Sequence, residues 1–521
     1  MKRLSSVLVI LVLLILAACG EDKSDSNKEN GNEDNQLKVA IIQQPSTFDP
    51  HMTSESIVRD TSVNVYETLI TLNADYQPVT MLAESVDESE DGKVYTFKLR
   101  EGVKFHNGKE MTSEDVLASM NRWKEKSPIA RENLDTATFE ATDEYTVVLN
   151  LEKSRLDTLE LLAGQDYAPA IMPKEIIEEA GEEFVSEFIG TGPFKFEEWK
   201  QDQYIHLSAF EDYAAVDAPA DGLSGKKEAL VDDIYFYITK DTSTLLAGLQ
   251  SGEFDIAGTS IGFNNYEIIK NDPNIDIYSA YFGTMNLVYN KKTGPFKDIK
   301  MREAVNIGLN VDDIMLSAFA YEELYKMNSS YINENVKNWY SEEGKEAYNQ
   351  NDQEKAKQLI KEAGYDGEEI KLLTSRDIQY HYDIAVVVQE QLKQLGMNVK
   401  LEVYDWASHL EVRDNPDEWH LSTAGLNFAT TPSQLVSLNP NWSGWLDDQK
   451  IPELMKSITE ADSLEEGKAL WDELQGYAWN EYLPLTQFGS VPVLLAARNN
   501  VEGLTIMDRP ILMPLWNAEI K

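Results

Sequence analysis

The stretch HYDIAVVVQEQLKQLGMNVKLEVYDW, residues 381–406, holds two periodicities and a boundary between them. Ile384, Val387, Val388, Leu392 and Leu395 recur at three- and four-residue intervals, which places them on one face of a helix. Gly396 supplies the residue that most readily ends such a helix in a left-handed turn. Met397, Val399, Leu401 and Val403 then alternate with polar residues, the period of a half-buried strand. Helix, glycine and strand in such close succession predict an α/β unit with the helix packed on a sheet. The pattern of DQEKAKQLIKEAGY, residues 352–365, predicts a second helix, capped by Asp352, with Ala356, Leu359, Ile360 and Ala363 inward and Gly364 at its end.

Earlier in the chain hairpins dominate. LKVAIIQQPSTFDPH, residues 37–51, begins as a strand with Leu37, Val39 and Ile41 on one face and is broken by Pro45 and Pro50. In DGKVYTFKLREGVKFHNGKEMTSEDVLASMNRW, residues 91–123, Asp91-Gly92 and Asn107-Gly108 mark turns, and Tyr95, Phe97 and Leu99 alternate with polar neighbours. Thr112 or Ser113 then caps a helix that carries Val116, Leu117, Met120 and Trp123 on one side. VDDIYFYITK from residue 231 and MNLVYN from residue 285 add strands. Hairpins early and α/β units late predict more than one lobe.

The chain has 521 residues, with 90 acidic against 46 basic side chains and a net charge of −44. Such a charge repels phosphate backbones, which excludes nucleic acid as a partner and suits solubility outside the cell. Lys2 and Arg3, the apolar run Val7 to Leu16 and the small pair Ala17-Ala18 have the order of a secretory signal, too short to span a bilayer. From Glu21 to Gln36 there is no apolar side chain, the composition of a flexible tether. Between them stands Cys19, the only cysteine, which cannot form an intramolecular disulfide.

Leu16-Ala17-Ala18-Cys19 resembles the lipobox of bacterial lipoproteins, which implies cleavage before Cys19 and diacylglycerol on its thiol. The chain as a whole resembles the bacterial extracellular solute-binding proteins of family 5. The matching stretches are YTFKLREGVKFHNGKEMTSEDV, IGTGPFKFEEW from residue 189, VDDIYFYITKDTSTLLAGLQSGEFDIA from 231, GPFKDIKMREAVNIGLN from 294, AKQLIKEAGY from 356 and VVQEQLKQLGMNVKLEVYDW from 387. The resemblance implies a two-lobed, periplasmic-binding-protein-like α/β fold of type II, cluster C, with hinge closure and an extra subdomain in the first lobe. Its expected organisation is a signal peptide over residues 1–18, a lipidated tether over 19–36, a first lobe over 37–285 with a subdomain at about 78–188, a second lobe over 286–485, and a return to the first lobe over 486–521. The implied function is that of a receptor, not an enzyme. It captures a peptide or peptide-like solute outside the cytoplasm, is held at the cell membrane by its lipid, acts as a monomer, and delivers to ABC permease subunits driven by cytoplasmic ATPases.

The same resemblance assigns residues. Thr259 and Ser260, just after GEFDIA, fall where relatives offer hydrogen bonds to an extended peptide. Trp406 matches a tryptophan that flanks the ligand in relatives, although core packing is an equal alternative. Gly425, Leu426, Asn427, Phe428 and Ala429 occupy the place of a Gly-Trp motif and of an aspartate that pairs with the ligand's α-amino group. That aspartate is absent, which leaves a blocked peptide, a ligand without an amine, or a clamp from Glu55 or another acid. Asn427, both donor and acceptor, suits a neutral polar group. Phe488, near the return crossover, and the pair Trp442 and Trp445 suit either a cleft wall or a satellite core. Two other readings compete. Gly258-Thr259-Ser260-Ile261-Gly262 satisfies G-x-S-x-G, with His381, His409 and His420 downstream, as in a secreted serine hydrolase. A nickel or metal-chelate receptor or an oligosaccharide receptor on the same fold is the other, although the six scattered histidines form no dedicated metal motif and no cofactor is expected.

Overall fold

The computed structural model describes residues 35–508 and 514–521. The expected leader, Cys19 and nearly all of the expected tether lie outside the described residues.

Residues 381–406 fold as their two periods require. Gln379–Gln394 is a helix with Ile384, Ala385, Val388 and Leu392 buried, and Val399–Tyr404 is the strand that follows. Gly396 adopts φ +95°, so the amide of Met397 can turn back to the carbonyl of Leu392. The strand pairs in parallel with Ile370–Ser375, completing a β–α–β unit with the helix as its crossover. Asp352 caps the helix Gln353–Glu362 by accepting from the Lys355 amide. Thr112 opens Ser113–Lys126 in a capping box closed by Asp115.

These strands belong to one sheet of ten. From one edge it runs Val399–Tyr404, Ile370–Ser375, Leu421–Asn427, Ile275–Tyr289, Leu485–Arg498, Ile256–Ala257, Gln36–Ile41, Asp233–Ile238, Tyr204–Ala209 and Phe194–Lys200. The two central strands, of 15 and 14 residues, are far longer than the rest and pair antiparallel from Ile275↔Arg498 to Val288↔Leu485. Their register shifts between Tyr281 and Gly283 and again between Met285 and Asn286. At one end Met285, Leu287, Phe488 and Val491 join a core with the helices Ile299–Gly308, Val311–Phe319 and Gln379–Gln394. At the other, Ile275, Leu494 and Ala496 join a separate core with Leu245, Leu249 and Tyr266. Gly283 lets the long strand approach Leu421–Asn427, because a Cβ there would sit 1.9 Å from the Leu426 carbonyl oxygen.

A smaller antiparallel sheet, in the order Ala83–Glu88, Val94–Leu99, Thr146–Asn150, Thr138–Asp143, carries the helix Ser113–Lys126. Its core is Phe97, Leu99, Val116, Met120, Trp123 and Val147, so the alternation and the helical face seen in residues 91–123 both point inward. Beside it the charged groups Asp49 and Arg122 are fully internal and bond at 2.6 and 3.1 Å through two nitrogens of the guanidinium. No helix among the described residues is long and apolar enough to cross a membrane.

Candidate functional site

Two neighbouring cavities border the helix Ser113–Lys126, the loop at residues 164–167, the end of the strand Leu421–Asn427 and the middles of the two long strands. The larger, about 380 Å³, has one wall from Ser54, Trp123, Leu161 and the loop Gly164–Tyr167. Its opposite wall comes from Arg413, Gly425–Phe428 and Trp442. The smaller, about 220 Å³, is lined by Gly258, Thr259 and Ser260 together with Ile57, Arg59, Phe282 and Val493. Arg59 borders the smaller cavity and donates at 2.9 Å to Asp166, which borders the larger. Phe282 borders the smaller and accepts at 2.8 Å from the amide of Phe428 in the larger. One ion pair and one backbone hydrogen bond thus link the linings of the two spaces.

Local chemistry explains how each wall is held. Trp123 leaves the helix Ser113–Lys126 and donates from Nε1 to the Tyr167 carbonyl at 2.5 Å. Tyr167 sits at φ +48°, a left-handed conformation that a non-glycine residue holds only under constraint from its surroundings. Gly425 to Asn427 end the strand Leu421–Asn427, and the exposed Asn427 amide makes no side-chain hydrogen bond among the described residues. Gly425 is backed by His381, whose Nε2 would lie 3.6 Å from a Cβ at that position. Burial, with the His409 ring and the Arg413 charge beside it, pushes the His381 ring down to about 3. Burial and Arg413 hold His409 at about 4. Both imidazoles are therefore neutral at physiological pH.

The expected residues separate. Thr259 and Ser260 line the smaller cavity, and Gly425, Asn427 and Phe428 the larger. Phe428 does so with only 4 % of its surface exposed, its ring against Tyr76 at 4.8 Å. Phe488 is not on a cleft wall. It is wholly buried in the core around the helix Gln379–Gln394, because its strand is covered on both faces. Trp406 lines neither cavity. It opens the helix Trp406–Arg413, stacks on His409 at 5.2 Å and 7°, and meets His381 edge-on at 5.4 Å. It therefore packs behind the wall that carries Gly425. Of the two later tryptophans, Trp442 reaches the cavity and Trp445 packs on Trp419 at 5.8 Å. Glu55 is engaged by Ser46 through the amide and the hydroxyl and borders neither space.

Asp166, Arg413 and Tyr167 enter the site without having been singled out in the sequence, and Trp123 enters it from a helix face read as core. Tyr167 follows the turn-forming Gly164-Gln165-Asp166, and Arg413 ends a helix. Nothing local marks either as a wall residue. The hydrolase motif does not assemble. Ile256–Ala257 is followed by a loop and the short helix Tyr266–Lys270, and no histidine bonds Ser260 among the described residues. Nor do the described residues contain a group of three or more His, Cys, Asp or Glu side chains placed to hold a metal.

Residues 77–446 match the family model described as bacterial extracellular solute-binding proteins, family 5 middle. The chain is 28% identical over 499 residues to a probable peptide ABC transporter periplasmic-binding protein, y4tO, of Sinorhizobium fredii, covering 91% of each chain. It is 29% identical over 507 residues to the oligopeptide-binding protein AppA of Bacillus subtilis, covering 87% of each. Its fold is similar to that of the ABC transporter substrate-binding protein CtaP of Listeria monocytogenes, with a TM-score of 0.81 at 23% identity over 93% of this chain and 99% of that one.

Proposed function

Since this chain belongs to the bacterial extracellular solute-binding proteins of family 5, transport receptors and not enzymes, we propose that its cargo is a peptide or peptide-like solute bound across the two cavities. The observation that carries this is the two-sided larger cavity. One wall comes from residues 54–167 and the other from 413–442, and its 380 Å³ falls within the range of small-ligand sites. A solute touching both walls favours the arrangement in which they face each other, and that differential contact is what drives closure.

Polar and aromatic groups are distributed as an extended peptide needs them. Asn427 and the Gly164–Tyr167 backbone offer neutral donors and acceptors, while the half-buried Trp442 offers aromatic surface for a side chain. The aspartate expected near Ala429 has no replacement at that place, where Ala429 itself is 4 % exposed. Asp166 and Glu132 are the carboxylates of the larger cavity, and Asp166 is already paired with Arg59 at 2.9 Å. The body is a monomer joined through Cys19 to lipid at the outer face of the cell membrane, and it hands its solute to ABC permease subunits.

Thermal-shift screening of the mature protein tests the cargo. A peptide present at 100 times its Kd adds about 2.7 kcal/mol of stability. Shifts with di- to pentapeptides are expected, and shifts confined to a nickel chelate or an oligosaccharide would refute the peptide reading. Cys19→Ala is expected to release the protein or leave it unprocessed with its binding intact. Loss of affinity in that variant would contradict the tether.

A further inference from the structure

The interior cations of this protein are matched with care. Arg122 is bonded to Asp49, Lys227 to Glu67, and Arg59 to both Asp60 and Asp166. Lys291 donates to the carbonyls of Tyr289 and Pro484, and Arg302 to those of Phe296, Lys297 and Tyr482. Arg413 breaks the pattern. Its guanidinium borders the larger cavity, yet among the described residues no carboxylate lies within ion-pair distance and no protein acceptor takes a hydrogen bond from it. Its Nε is buried without a partner.

The groups around Arg413 show what is missing. One face of the guanidinium lies over the Trp442 ring, 5.3 Å from its centroid. Asp414, the nearest acid to act on it, accepts a hydrogen bond from Ser443 at 2.5 Å. Across the cavity, Asp166 is held by Arg59, and Glu132 accepts from Asn439 at 3.3 Å. A half-buried guanidinium stays charged at any pH the protein meets, and a charged donor left without an acceptor destabilises the empty site. Nε is buried out of a solute's reach and one face is covered by Trp442, which leaves the two Nη groups, without a protein acceptor among the described residues, to make paired bonds to a carboxylate. A protein of net charge −44 repels anions at long range, so an anionic group inside it needs a local cation of this kind.

We propose that Arg413 receives a carboxylate of the bound solute. This rests on the peptide reading above and narrows it. The carboxylate comes from the peptide's C-terminus or from an Asp or Glu side chain, the chemistry at the guanidinium being the same.

The test uses the mature protein and matched pools of tri- to pentapeptides. One pool has free C-termini and one is amidated, and each is made with Asp and Glu or with Asn and Gln. Ligands retained by native mass spectrometry are then titrated singly by calorimetry, together with their neutral counterparts. The wild type is expected to bind the carboxylate form at least 30-fold more tightly than the counterpart that lacks it. The amidated pool and the Asn/Gln pool tell which carboxylate is read. In Arg413→Gln the preference is expected to fall below threefold, and Arg413→Lys to recover some of it. Equal binding of acid and neutral forms by the wild type overturns the inference, needs no variant, and leaves the peptide reading standing. Parallel loss of both forms in Arg413→Gln also overturns it, by making Arg413 a packing residue. If neither pool binds, the peptide reading falls and the inference with it.

Discussion

Acidification from pH 7 to pH 5 is expected to remove about 5 kcal/mol of folding stability, and four histidines with one glutamate set the figure. His51 is held at about 4 by burial and by Arg122, whose Nη1 lies 3.1 Å from Nδ1, while Nε2 donates to the Ala170 carbonyl at 2.8 Å. His106 is fixed at about 4 in the same way, its Nε2 donating to Gly192 and its Nδ1 accepting from the Gly190 amide. His381 and His409 lie at about 3 and about 4. Unfolded, each binds its proton at the ordinary value of 6.5. Their contribution is therefore complete above pH 6.5 and is lost as pH falls from there toward 4, because only the unfolded chain takes up protons in that window. Between pH 7 and 5 this costs about 2 kcal/mol or a little less for each ring.

Glu160 opposes the loss. Burial pushes it up to about 7 from the ordinary 4.5, so the folded state binds its proton first and regains about 2 kcal/mol over the same interval. Urea unfolding at constant ionic strength, read at pH 7, 6 and 5, checks the sum. Its slope is expected to reach about 3.5 kcal/mol per pH unit near pH 5.5. His106→Asn is expected to lower that slope by about 1 kcal/mol per pH unit, whatever it does to stability at pH 7. Stability constant to within 1 kcal/mol from pH 7 to 5, with an unchanged urea dependence, would refute the neutral, buried assignment.

Three substitutions probe the site and its support. Gly425→Leu adds a side chain to the wall of the larger cavity, starting 3.6 Å from His381, and is expected to weaken the best ligand at least tenfold, about 1.4 kcal/mol, by shifting that wall. Calorimetry measures it, and an unchanged Kd would move the ligand away from this wall. Trp406→Ala removes a stacked, half-buried ring that borders no cavity. It is expected to cost about 2 to 3 kcal/mol by urea unfolding while ligand affinity changes less than threefold, and a tenfold weakening without destabilisation would put Trp406 back in the cleft. Gly283→Ala drives a Cβ onto the Leu426 carbonyl and must push the paired strands away from each other. Losing one or two ladder bonds there costs about 1 to 3 kcal/mol, and hydrogen exchange is expected to rise in Leu421–Asn427 first.

Where burial follows a simple period, the sequence was sufficient. Leu37, Val39 and Ile41, Tyr95, Phe97 and Leu99, and the helix face of Ile384, Val388 and Leu392 all lie inward as their spacing requires. Phe488 departs from expectation because its strand is buried along both faces, which erases the alternation that marks an exposed wall. Trp406 departs from it because an aromatic at a helix start looks the same from the sequence whether it covers a ligand or two neutral histidines. Asp166 and Arg413 escape a reading of the sequence because a cavity wall is a three-dimensional adjacency. The residues that face each other are about 250 positions apart, and no local period connects them.

The position of Leu485–Arg498 in the sheet bears on when the molecule becomes competent during synthesis. It is among the last strands made, yet it lies between Ile275–Tyr289 and Ile256–Ala257. Without it the ten strands fall into a group of four and a group of five, each with a raw edge and neither joined to the other. A nascent chain lacking that segment can build both halves and still have no pocket between them. Capture at these cavities is therefore expected only after almost the whole polypeptide has emerged, and a C-terminal truncation before residue 485 is expected to abolish binding even though nearly every residue that borders the cavities has already been made.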